Sequence, residues 1–303
     1  MSIIRRVIFE ETIKSKYTAL NYRVQLKAFM KFLQIERQEQ LLSYSAADLQ
    51  YKLEDYLFDL RKTSNPNSIP SKFVGIRHFC VMNDININWI KLQKMYPARQ
   101  KTPSLRAYTS AEVKQMLEKE KNPRNRAIIH FIAATGARIG IFDYDLQMKH
   151  LKKMPGGCVA VLLYAGEIEE YHCFLTPQAA KSLHAYHNLL KKRGVNFTDN
   201  TPLFMTSNKN HTPLGINGAR SVIARAVQKG KVNRNKQGIH YDVQVNHGFR
   251  KRFNTILKMN NRVNYNIAEK LLGHKNGLDG VYFTPTLKEL FAEYKKVVRK
   301  LEI

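Results

Sequence analysis

The run IIHFIAATGARIG, residues 128–140, decides how the second half of this chain is read. Its first seven residues carry a single polar side chain, as a helix buried on all sides would. Gly136 then permits the tight turn that stops the helix, and Arg138 is delivered beside the core with a fixed geometry. Working outward, Asn122-Pro123 is a helix start, so this helix is expected over about 123–134. Thr109 and Glu112 have the spacing of a capping box and open another helix upstream. Downstream, 159–164 and 171–176 flank a short turn and read as a β-hairpin. Thr176-Pro177 restarts a helix that Gly194 ends, and further helices are expected over 216–228, 246–258, 264–272 and 286–301. The expected fold class is mainly α with a small β-sheet (α+β).

The first 96 residues read as a separate helical domain with no strand signal. Tyr22, Leu26, Phe29, Met30 and Leu33 share one helix face. Ser45 and Asp48 start a second helix whose stripe is Leu49, Leu53, Tyr56, Leu57 and Leu60. SNPNSIPS (64–71) is expected to be a loop, and a helix resumes over 73–82. The segment PARQKTPSLRAY (97–108) has two prolines, the cations Arg99, Lys101 and Arg106, and no acid. It is expected to be an extended basic linker to a second domain over 109–303.

Composition narrows the partners. Among 303 residues, 50 Lys and Arg face 24 Asp and Glu, for a formal net charge of +26. Self-repulsion on that scale is relieved by a polyanion, and nucleic acid is the first candidate ahead of an anionic membrane surface. The membrane reading is weak: no long apolar run is present, and charge interrupts MSIIRRVIFEETIK too early for a signal peptide. Cys80, Cys158 and Cys173 form no CxxC pair, which points to a reducing, cytoplasmic setting and to neither a zinc module nor a disulfide scaffold. Between 217 and 262 there are eleven Lys or Arg and one acid, Asp242, and GKVNRNKQG (230–238) within it has no apolar periodicity. Arg220, Arg225, Lys229, Lys231, Arg234, Lys236, Lys251 and Arg252 are therefore expected to contact double-stranded DNA.

Three short segments carry possible chemistry: TGAR (135–138), HGFR (247–250) and LGH (272–274), the last followed by Tyr282. Taken singly, each has a plain structural explanation. An Arg after a turn is usually a surface or capping group. A His and an Arg on a basic helix are usually solvated, and a Tyr beside Phe283 and Pro285 is usually core. Together, in this order and spacing, they resemble the catalytic signature of the tyrosine recombinases, or phage-type integrases. TGARIG, HGFRKRFNT and AEKLLGHKNGLDGVYF resemble that family's motif surroundings over roughly 109–295.

The resemblance implies a site-specific DNA recombinase or integrase working through a 3′-phosphotyrosine intermediate, with no cofactor and no metal. Arg138 and Arg250 would clamp the scissile phosphate. Tyr282 would be the nucleophile, His247 the proton acceptor and His274 the donor to the phosphate. Residues 1–96 would be a core-binding domain that closes with the catalytic domain around the duplex. A homo-oligomer, a tetramer on DNA, would be held by the C-terminal helix (Leu287, Leu290, Phe291, Tyr294, Val298) docking on a neighbour, although the same stripe equally fits packing on its own domain. The chemistry is consistent with this independently. Guanidinium forks match the non-bridging oxygens of a phosphorane and never titrate. No GxxxxGK[ST] phosphate loop occurs anywhere, and a phosphotyrosine retains the phosphoester's energy without ATP.

Two positions depart from the family pattern. Ile141 stands where the family usually has Glu, and the hairpin VLLYAGEIEEYHCFL lacks the family's lysine in its turn. The acid for the leaving oxygen is then to be sought among His274, Lys152, Lys153 and Lys275. The competing readings are a DNA-binding protein of the same fold with impaired chemistry and a type IB-like topoisomerase. No signature of a common RNA-binding module supports an RNA partner.

Overall fold

The computed structural model describes residues 8–9, 11–101, 105–208, 210–237, 240–275 and 282–303. The chain divides into two compact units, Met1–Thr102 and Pro103–Ile303, and the division falls inside the proline-bearing stretch 97–108.

In the first unit α1 (Lys16–Phe32), α2 (Ala46–Thr63), α3 (Ile69–Lys72), α4 (Val74–Met82) and α5 (Trp89–Lys94) enclose one core. Ser15 caps α1 by accepting from Thr18 N, and Ser45 caps α2 by accepting from Asp48 N. Leu26, Phe29, Leu49, Leu53, Leu57 and Phe79 are buried together. α4 crosses α1 closely at Gly75, where a Cβ would stand 2.6 Å from the Tyr22 Cα. The stretch 64–71, expected as a loop, is coiled instead: Pro66–Ser68 is a 3-10 turn and α3 follows directly. Its prolines sit in first-turn positions, where a missing N–H is no loss.

The second unit opens with α6 (Ser110–Lys119) and α7 (Pro123–Thr135). Its sheet is β1 (Leu151–Lys153), β2 (Val159–Leu163) and β3 (Tyr171–Leu175), antiparallel in that order. Val161 faces Cys173 across the hairpin, while Lys152 and Lys153 of β1 pair with Ala160 and Val159. Then come α8 (Pro177–Lys192), α9 (Ile216–Lys229), a two-residue pairing of β4 (Lys236–Gln237) with β5 (His240–Tyr241), α10 (His247–Lys258), α11 (Tyr265–Leu271), α12 (Leu287–Lys295) and α13 (Val298–Leu301). Helix α7 is the hub, buried continuously from Ala127 to Thr135. A mainly helical fold with a small sheet is what the hydrophobic periodicity predicts. Among the described residues no helix is long and apolar enough to cross a membrane.

Two expectations need correction. The last helix does not project from its own domain: Leu290, Phe291, Tyr294 and Leu301 are buried in this unit's core. The Phe174 ring lies 5.2 Å from both Phe291 and Tyr294, and the Tyr294 hydroxyl donates to Ala134 O at 3.0 Å. Nor are Arg106 and Tyr108, at the end of 97–108, part of a free linker. Arg106 donates to Glu112 at 2.8 Å and to Asp242 at 3.0 Å, so the single acid of the basic stretch is already engaged. Tyr108 N donates to Gly248 O, and its hydroxyl donates to Val245 O.

Candidate active site

The site is assembled where the three short segments meet. Helix α7 ends at Gly136 in the left-handed region, φ +58°, and a Cβ there would stand 2.5 Å from the Phe253 ring of α10. The turn therefore needs glycine twice, for its backbone and for its neighbour. Thr135 steadies it, with its hydroxyl donating to Phe131 O and accepting from Ala137 N. Half-buried Arg138 follows.

Helix α10 turns Phe249 and Phe253 into the core, which fixes where His247 and Arg250 lie. Arg250 is only 6 % exposed. Its Nη1 donates to Gly136 O at 3.0 Å, and its Nη2 donates to Leu272 O at 2.6 Å and to His274 Nε2 at 2.8 Å. One guanidinium thus ties all three segments together. Gly273, φ +65°, makes the turn before His274, and a Cβ there would fall 2.5 Å from the Tyr171 ring of β3. Gly273→Ala is expected to cost more than about 1 kcal/mol of stability through the strained φ alone. It should also displace Tyr171 and His274, which thermal unfolding together with histidine NMR shifts would report.

Arg250 has its basicity reduced first by burial and further by nearby Arg138. Partial burial, then Arg250, Lys251 and Arg138, hold the His247 imidazole below its ordinary value. His247 is therefore neutral at neutral pH and able to take a proton. Burial raises the Tyr164 phenol to about 12 and raises Tyr171 as well, against the pull of both arginines. The Tyr171 hydroxyl is buried beside the Arg250 guanidinium. Clustered cations in a partly desolvated recess bind a phosphate oxyanion strongly, because the dielectric there screens little.

Tyr282 is 80 % exposed and makes no hydrogen bond among the described residues. The KNGLDG segment before it lies largely outside the described residues. At the hairpin turn the Lys275 ammonium donates to Ile168 O, whereas Lys152 and Lys153 sit at the opposite end of the hairpin. Where the family carries Glu, Ile141 is buried, and Asp143 instead accepts from Ile216 N at 2.7 Å at the start of α9.

The basic set is not uniform. Arg220, Arg225, Lys231 and Lys236 are exposed. Lys229 pairs with Glu120 at 3.3 Å, and Arg234 lies over the Tyr241 ring and donates to Val243 O. Lys251 donates to Leu105 O at 2.6 Å. Arg252 corrects the sequence reading. It is 3 % exposed, its guanidinium donates to Lys300 O and Ser110 Oγ, and burial brings it down to about 10. It anchors the C-terminal segment and faces no solvent. Sequence reasoning also missed Tyr171 and Glu269. A tyrosine opening a strand carries no signal, but a lone acid in the apolar run IAEKLL does.

A mainly helical domain in which one buried arginine joins the TGAR, HGFR and LGH segments has the arrangement that the resemblance to the tyrosine recombinases leads one to expect. Residues 106–279 match the phage integrase family. The chain belongs to that family and is a site-specific DNA recombinase, an enzyme that cleaves and rejoins DNA strands. No sequence among the curated proteins matches it. Among solved structures, XerH recombinase bound to difH substrate is similar over 91% of this chain and 79% of that one, at 18% identity and TM-score 0.59. Lambda integrase (residues 75–356) bound to DNA is similar over 90% and 93%, at 13% identity and TM-score 0.58. A lambda integrase tetramer bound to a Holliday junction is similar over 90% and 73%, at 15% identity and TM-score 0.55. These likenesses are likenesses of fold.

Proposed function

We propose that this chain cuts duplex DNA with Tyr282 and holds the 3′ end as a phosphotyrosine until a second 5′ end displaces it. The observation that carries this reading is the Arg250 guanidinium joining Gly136, Leu272 and His274. Arg250 and Arg138 hold the non-bridging oxygens of the scissile phosphate. His247, kept neutral by its surroundings, takes the proton of the Tyr282 hydroxyl as the phenolic oxygen bonds to phosphorus. The bond to the 5′ oxygen breaks, and that oxygen leaves as a hydroxyl by taking a proton from a neighbouring acid, for which Lys275 at the hairpin turn is the candidate. The bond made replaces the bond broken, so no cofactor or metal is required. The first helical unit provides a second grip on the duplex, and four copies pair two sites in the cytoplasm.

A pool of nicked duplexes of randomised sequence tests this directly. The chain should form a covalent adduct that resists denaturation, and sequencing of the captured DNA should return a shared motif. The turn AGEIEE (165–170), with no lysine, favours a second reading in which the fold binds DNA with little chemistry. Binding with no adduct at any pH would establish that reading.

The exposed cations give a second expectation. Each phosphate that the protein no longer neutralises should reduce the slope of log affinity against log salt by about 0.9. Neutralising Arg220, Arg225, Lys231 and Lys236 together should flatten the plot visibly. Arg252→Ala should instead lower the melting temperature and leave the slope of the folded fraction alone. An unchanged slope in the fourfold variant would turn that face away from DNA.

A further inference from the structure

Glu269 of α11 is an acid that the mechanism above does not use. It is 6 % exposed and sits between an ammonium and an imidazole. Its Oε1 lies 2.5 Å from Lys258 Nζ, and its Oε2 lies 2.7 Å from His274 Nδ1. On the other side of the same ring, Nε2 is 2.8 Å from Arg250 Nη2. A guanidinium can only donate, so Nε2 must be the accepting, unprotonated nitrogen. The ring proton is then on Nδ1 and is donated to Glu269. His274 is thereby committed to a single tautomer, by the same device that orients metal-binding histidines through a carboxylate.

This arrangement cannot persist once a phosphate arrives. Arg250 Nη2 must turn to the phosphate oxygen, and Nε2 is then left facing the same anion with a lone pair. The approach becomes favourable when Nε2 gains a proton, and the Glu269 carboxylate already opposes the charge that this creates. The charged and titratable groups at the ring, and those near Arg250 beside it, all bear on the step. Arg250, Lys258 and His247 come from α10, Arg138 from the turn after α7, Tyr171 from β3, and Lys275 is the next residue. A phosphate held by Arg138 and Arg250 would offset the charge of these cations and so favour a further proton on the ring.

We propose that Glu269, braced by Lys258, is a positioning residue that holds His274 as its Nδ1–H tautomer, and that DNA engagement converts His274 to the imidazolium by uptake of one proton from solvent. The proposal rests on the reading of Arg250 and His274 as phosphate ligands. It adds the residue that prepares His274 and the proton that the binding step consumes.

The test has a part that needs no DNA. In free protein labelled with 15N-histidine, the His274 ring, assigned by its loss in His274→Gln, should show a protonated Nδ1 and a bare Nε2. A protonated Nε2 in the free wild type overturns the proposal, whatever the enzyme does to DNA. Glu269→Gln should retain the tautomer, since an amide oxygen still accepts, whereas Glu269→Ala should lose it. The second part mixes protein with a pool of 40-base-pair random duplexes in weakly buffered solution containing a pH indicator. Wild type should take up about one proton more per bound chain than Glu269→Gln does, and equal uptake overturns the linkage. Adduct formation should slow about 10- to 100-fold in Glu269→Ala, the range seen when a supporting partner of a functional histidine is removed. In Glu269→Gln the loss should shrink as the pH is lowered, because solvent then supplies the proton that the carboxylate no longer stabilises. A loss independent of pH would mean a structural role only, and would overturn the assignment.

Discussion

Tyr282→Phe is expected to bind duplex DNA as tightly as the wild type and to form no covalent adduct. Removing a covalent nucleophile costs other enzymes on the order of 10⁶-fold in rate. No other change in this chain should be as large at so little structural cost. The hydroxyl is in solvent with no hydrogen bond among the described residues, so its loss leaves no buried group unsatisfied. The melting temperature should stay where it is. The other tyrosines near the recess are poor substitutes. Tyr294 is fully buried and donates to Ala134 O. Tyr164 and Tyr171 are held protonated by burial, against the pull of Arg138 and Arg250. Tyr265 is exposed, but its hydroxyl accepts from Lys258. Tyr282 stands eight residues after His274, the spacing on which its assignment as nucleophile rests. An adduct that persists in Tyr282→Phe and disappears in Tyr265→Phe would move the nucleophile to α11.

The parts of this molecule legible in its sequence are those determined over a few residues. Thr109 with Glu112, and Thr176 with Pro177, announce helix starts because a cap is a local hydrogen bond, and both helices begin there. The hairpin 159–163 with 171–175 follows from strand-forming side chains around a turn. The three short segments could be ordered along the chain, but only the fold brings them to one guanidinium. What depends on distant partners was not legible. Lys251 and Arg252 are neighbours in a basic run, yet one reaches Leu105 and the other anchors residues 300–301, a difference set by the face of α10. Arg106 reads as linker charge in the sequence because its acids, Glu112 and Asp242, lie 6 and 136 residues away. The three residues of β1 are too few to show any alternation, and only pairing with β2 makes them a strand. The destination of α12 was undecidable for a similar reason, since an apolar stripe fits its own core or a neighbour's equally well.

The proton for the leaving 5′ oxygen is the step where the second large effect is expected, and the structure separates the candidates. A deoxyribose alkoxide is a poor leaving group, so a positioned acid should contribute about 10² to 10⁴ in rate. The hairpin turn AGEIEE contains no lysine to serve as that acid. Lys152 and Lys153 pair with Ala160 and Val159, at the end of the hairpin away from its turn. Lys275 reaches that turn from another element, its ammonium donating to Ile168 O directly after His274. Lys275→Ala should therefore slow cleavage of an ordinary phosphodiester by about 10² or more. The same variant should regain wild-type speed on a 5′-bridging phosphorothiolate, whose thiolate departs without a proton. Lys152→Ala/Lys153→Ala should match the wild type on both substrates. Arg250→Ala should be slow on both, because it stabilises phosphate charge irrespective of the leaving atom, and losing one such donor costs about 10² to 10³. It should also lower stability, since Gly136 O and Leu272 O would lose their buried donor. His274→Ala sorts between the two roles: slow on both substrates if it serves the phosphate oxygens, rescued by sulfur if it serves the leaving group. If Lys275→Ala is as fast as wild type on oxygen, the lysine is only a strut for the hairpin turn. A wild type that is itself much faster on sulfur would then mean that this chain cleaves without a dedicated acid.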